Sequence, residues 1–141
     1  MNQTQSFKEF EIDGISYSIS LFAADQGLKV MAKLFKLIGE PIMQLSQAGQ
    51  DKANMQQHLA TAIKSLAAKI VEDEVVSLCK SLCSVVTKGG SSQTLDKEFN
   101  IYFRGKYGHL FKILTNVVEY NFADFLEGLG QGASLPQMKS Q

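Results

Sequence analysis

Residues 10–21 read FEIDGISYSISL, and this stretch decides what the rest of the chain has to do. Phe10 and Ile12 precede Asp13-Gly14, after which Ile15, Tyr17, Ile19 and Leu21 recur at every second position. Asp-Gly supplies the positive backbone angles of a two-residue hairpin turn. The spacing therefore predicts a β-hairpin over about residues 7–22, with Ile12 opposite Ile15 and Phe10 opposite Tyr17. One face is apolar, and Glu11, Ser16 and Ser18 point the other way. Two strands alone are marginal in water, so the apolar face must rest on the remaining chain.

That remaining chain has the helical period. From Asp25, residues Leu28, Met31, Leu34, Phe35 and Ile38 form an apolar stripe, Lys29, Lys33 and Lys36 lie off it, and Gly39 and Pro41 supply stop signals. After SQAGQDKAN, which reads as a loop or weak helix, a second stripe runs through Met55, Leu59, Ala62, Ile63, Leu66 and Ile70. Val75, Leu78, Cys79, Leu82 and Val86 make a third, opened by the acidic run Glu72 to Glu74, which suits a helix N-terminus. TKGGSSQT reads as a flexible connection, and LDKEFNIYF is ambiguous between a short strand and irregular structure. The last helix is expected from about Lys106 to Tyr120, with Tyr107, Leu110, Phe111, Leu114, Val117 and Val118 on one face and Asn121 ending it. The fold class is thus mainly α: a small bundle of four to five helices with an N-terminal β-hairpin. The domain spans residues 7–127, between a disordered stretch at 1–6 and a flexible polar tail at 128–141.

Composition narrows the functions. Fourteen Lys and Arg balance 14 Asp and Glu in 141 residues, so no general field attracts phosphate or anionic lipid. Nucleic acid and membrane are not expected partners. No apolar run approaches the roughly 18 residues of a membrane span, and the N-terminus lacks a leader pattern. Cys79 and Cys83, the only cysteines, stand four apart on one helix face, a poor geometry for a disulfide, and read as reduced, buried thiols.

No set of catalytic residues, cofactor or metal site emerges. His58 and His109 have no second histidine or cysteine at ligand spacing, and two thiols do not close a metal site. GLGQGAS, from Gly128, has too few residues after it to build a dinucleotide-binding helix, and KGGSSQT lacks the lysine-hydroxyl pair of a phosphate loop. Arg104, Lys106, His109 and Lys112, followed by Glu119, Asp124 and Glu127, read as a dipolar solvated surface. A nucleic-acid-binding regulator would need a recognition helix, but the segment Lys29 to Lys36 carries no arginine, asparagine or glutamine to read bases. The other rival is a structural or adaptor protein.

The segments FEIDGISYSIS, GLKVMAKLFKLIG and FRGKYGHLFKILTNVVEYNFADFL together resemble small bacteriophage tail assembly chaperones. The likeness covers roughly residues 7–40 and 99–127. It concentrates in Gly27, Leu28, Lys29, Leu34, Phe103, Gly105, Tyr107, Leu110, Val118, Asn121, Phe122 and Phe125. The resemblance implies a non-enzymatic protein of the host cell cytoplasm, absent from the mature virion. It would bind the tape measure protein, keep it soluble and help tail tube subunits gather around it; self-association is left open. An amphipathic helical surface is the usual way to cover an apolar helical client. The candidate partner-binding residues are Tyr120, Phe122 and Phe125, of which at least one is expected to be exposed, together with Met31 and Phe35 on the front helix.

Overall fold

A computed structural model describes residues 7–43, 52–69 and 71–125. The segments 1–6 and 128–141, most of SQAGQDKAN and Ile70 lie outside the described residues. Strands β1 (Phe7–Ile12) and β2 (Ile15–Ser20) pair antiparallel with Ile12 opposite Ile15 and Phe10 opposite Tyr17. Asp13 and Gly14 both have positive φ, 53° and 82°, as a turn matching the strands' right-handed twist requires. Ile12, Tyr17 and Ile19 are buried, whereas Leu21, one residue beyond the end of β2, is 48% exposed.

The hairpin is not a lone pair. Strand β3 (Val86–Lys88) adds to β2, giving the antiparallel order β1-β2-β3. Part of the expected flexible connection is therefore sheet: Gly89 N–H donates to the Ser16 carbonyl at 2.7 Å, and Thr87 bridges to Thr94. Val86, assigned by its spacing to a helical stripe, is instead buried at the start of β3. Three residues held by main-chain hydrogen bonds carry no readable period.

Five α-helices and two 3-10 turns complete the described chain. Helix α1 (Ala24–Met43) is broken at Ile38 (φ −136°, ψ 36°), three residues before Pro41. Proline removes the helical N–H and crowds the carbonyl four residues earlier, which accounts for a kink here. Its buried side is Val30, Leu34, Leu37 and Ile38, while Leu28 is 63% exposed. The expected stripe was therefore rotated off the true one. Helix α2 (Lys52–Lys64) runs into a 3-10 turn (Ser65–Ala68), burying Leu59, Ala62, Ile63 and Leu66. Helix α3 (Glu72–Cys83) starts in its acidic run and buries Leu78, Cys79, Leu82 and Cys83.

LDKEFNIYF is helical: a 3-10 turn (Leu95–Glu98) leads into the single turn α4 (Phe99–Tyr102), anchored by buried Leu95 and Phe103. Helix α5 (Tyr107–Asn121) is the centre of the molecule, packing on α2, α3 and the hairpin. Leu110, Ile113, Leu114, Val117 and Val118 are buried; Tyr107 is 65% exposed and Phe111 half-buried, so the inner face lies to the Ile113 side of the expected one. A contiguous cluster of buried side chains runs from Ile12 on the hairpin to Phe122 beyond α5.

Candidate partner-binding surface

Asn121 fixes where α5 stops. Its amide nitrogen donates to the carbonyls of Val117 and Ser20, both at 3.3 Å, and its oxygen accepts from Phe22 N–H at 2.8 Å. One side chain thereby joins the C-terminal turn of α5 to the exit of β2. The next residue, Phe122, turns out of the helix (φ −122°) and stacks on Phe22 with centroids 6.4 Å apart. Phe122 is buried, so its part in a surface is to support its neighbours.

Beyond it, Phe125 meets Phe35 of α1 edge to face, with centroids 5.6 Å apart and planes inclined 66°. Such a pair contributes about 0.5–1.5 kcal/mol beyond area burial. Phe35, Phe125, Met31 and Tyr120 are all half-buried and packed against the core. None of Tyr120, Phe122 and Phe125 stands fully free of the protein, contrary to the expectation that at least one is exposed; a core cluster extending past Asn121 holds all three. What the structure brings together is Phe35 of the front helix and Phe125 of the segment after α5, far apart in sequence.

A second constellation has no counterpart in the sequence pattern. Tyr17 of β2 reaches His109 of α5, with its hydroxyl 2.6 Å from Nε2, and also hydrogen-bonds the Tyr102 hydroxyl of α4. His109 Nδ1 lies 2.9 Å from Asp13 Oδ2, and Lys112 Nζ is 3.4 Å from Asp13 Oδ1. An ionised carboxylate only accepts, so His109 Nδ1–H donates to Asp13, while the Tyr17 hydroxyl bonds Nε2 on one side and the Tyr102 hydroxyl on the other. The His109 hydrogen bond, ahead of Lys112, holds the Asp13 carboxyl below its usual pKa. Burial, reinforced by Tyr102, pushes the Tyr17 phenol well above its ordinary value. A phenol that keeps its proton is a poor nucleophile, and every group in the chain is committed to another. The arrangement is a clamp between the hairpin turn and α4–α5.

The expected solvated basic face is thus partly structural. Lys106 Nζ stands 4.9 Å from the Tyr102 ring centroid, Lys88 5.8 Å, and His109 is nearly enclosed. On α1, Lys36 pairs with Glu74 of α3 at 2.9 Å and Lys33 reaches Ser77 at 3.4 Å, so two of the three lysines of the rival recognition helix lean on a neighbouring helix. His58 is exposed. Cys79 and Cys83 are free and buried; burial pushes Cys79 up to about 11 and Cys83 further, the opposite of a reactive thiolate. Among the described residues, no three His, Cys, Asp or Glu side chains converge as metal ligands, and no helix is long and apolar enough to cross a membrane.

The class these features define is a small, mainly helical protein with a short antiparallel sheet and an aromatic seam where α1 meets the end of the described chain. A family model described as phage tail assembly chaperone protein, TAC, matches residues 13–132. The chain belongs to that family. Comparison with curated proteins and with solved structures gives no match.

Proposed function

We propose that this chain binds the tape measure protein of a phage tail, keeps it soluble in the host cytoplasm and assists tail tube assembly without entering the finished particle. Residues 7–127 act as the binding domain. Family membership supplies the assembly role. The observation that carries the client surface is the Phe35–Phe125 pair, half-buried and flanked by the half-buried Met31 and Tyr120. Half-buried rings offer apolar area to a client while remaining anchored, and contacts of this kind are individually weak enough to release it when tube subunits arrive.

The test is coexpression with the tape measure protein. Phe125→Ser is expected to lower the soluble fraction of the tape measure protein severely while the chaperone itself stays folded, and Phe35→Ser to do the same. If the tape measure protein is equally soluble with wild type and with both folded variants, the aromatic surface is not the client site. If it is insoluble even with wild type, the tape measure protein is not the client.

A further inference from the structure

Among the described residues, the sheet leaves one of its edges open. Ser16 carbonyl accepts from Gly89 N–H, and Ser20 N–H donates to the Val85 carbonyl at 2.8 Å, so these residues of β2 turn their main-chain groups toward β3. In an antiparallel ladder the groups alternate from residue to residue, which points Tyr17 and Ile19 at β1. On β1, the residues opposite Ser16, Ser18 and Ser20 are Glu11, Glu9 and Phe7. Their N–H and C=O groups therefore face outward, and β1 is the terminal strand of the described sheet. The edge has no proline, glycine or bulge to blunt it. Phe7, Glu9 and Glu11 are all exposed, with side chains on the face away from the core.

We infer that the open edge of β1 is a docking site for an extended segment of another protein that carries basic residues at alternate positions. The main-chain groups of Phe7, Glu9 and Glu11 would supply strand pairing, and the carboxylates of Glu9 and Glu11 would select lysine or arginine directly across the strand. A second copy of this chain is a poor occupant. Edge-to-edge pairing about a two-fold axis keeps the sheet's faces, and its registers set Lys8 on Lys8, Glu9 on Glu9, Glu9 on Glu11 or Glu11 on Glu11. Like charges directly opposite oppose each of these. The edge thus refuses itself and accepts a basic strand. This site is separate from the Phe35–Phe125 surface and stands whatever protein occupies that one.

Amide hydrogen exchange on the full chain tests it, with a short peptide alternating lysine and valine as probe. In the free chain the amides of Glu9 and Glu11 should exchange fast and those of Phe10 and Ile12 slowly; the peptide should slow Glu9 and Glu11. The same peptide N-methylated on its pairing amides should give no protection. The double variant Glu9→Lys, Glu11→Lys should bind the lysine peptide about tenfold more weakly and take up a glutamate-valine peptide instead; an unchanged melting curve would show that it is folded, and Glu9→Gln, Glu11→Gln serves in its place otherwise. The inference is overturned if Glu9 and Glu11 are already protected in the free chain, if protection appears with protein concentration alone, if the lysine peptide leaves them unprotected, or if the N-methylated peptide binds as well.

Discussion

Two regions join early and late segments of this chain in opposite ways. At the hairpin turn, Tyr102, Tyr17, His109 and Asp13 are linked by a continuous chain of hydrogen bonds. After α5, Phe125 meets Phe35 edge to face. Hydrogen bonds punish displacement steeply, whereas apolar contacts tolerate sliding and exchange of partners. The first arrangement suits a part that must hold still. The second suits a surface that takes on and gives up a client, and the contrast supports placing the function on the aromatic side.

The largest perturbation should come from the helix both regions share. Leu114→Ala, at a fully buried position on α5, is expected to cost about 2–5 kcal/mol in chemical denaturation and to disturb both regions together. Next in size, Tyr17→Phe keeps the ring stacked on Phe10, with centroids 5.5 Å apart, but strips His109 Nε2 and Tyr102 of their shared hydroxyl. About 1–3 kcal/mol should be lost while client solubility is retained, provided the variant remains folded. The same residue makes an alkaline limb. A phenol whose folded pKa is raised above 10.0 keeps its proton in the folded chain after the unfolded chain has lost it, so its contribution is complete below about pH 10 and fades as pH rises further. Urea midpoints measured across that range should fall for wild type and fall less for Tyr17→Phe. The acid side runs the other way: Asp13 is depressed from 3.8, so its contribution is present above that value and disappears as pH drops below it. Smallest in stability is Phe35→Leu, which removes the edge-to-face geometry but keeps an apolar side chain and should cost about 1 kcal/mol. A larger loss there than for Tyr17→Phe would reverse the comparison.

Legibility followed the strength of local rules. The hairpin was readable because Asp13-Gly14 fixes a turn and the period of two fixes the faces; α3 and α5 were readable because Leu78, Cys79 and Leu82, and Leu110, Leu114 and Val118, recur at helical steps. On α1 the stripe through Leu28 and the one through Val30 and Leu37 lie side by side, and only the tertiary partners choose between them. β3 and α4 are too short to show a period. The clamp was invisible because Tyr17 and His109 are 92 residues apart and each looks ordinary among its neighbours. The five candidate contact residues were nameable from their clustering, but the seating of Phe125 on Phe35 depends on how α5 ends at Asn121.

The double attachment of Asn121, to Ser20 and to Phe22, also governs when the protein can come into being. Those bonds span separations of 101 and 99 residues, and the Tyr17–His109 bond spans nearly as many. During synthesis the hairpin leaves the ribosome well before α5, so until that helix follows its apolar face has no α5 to rest on. Distant pairings of this kind slow folding, because the intervening chain must be ordered before they give any return. The nascent hairpin therefore waits with Ile12 and Ile19 uncovered by α5, so this chaperone is itself, until that helix emerges, an aggregation-prone chain.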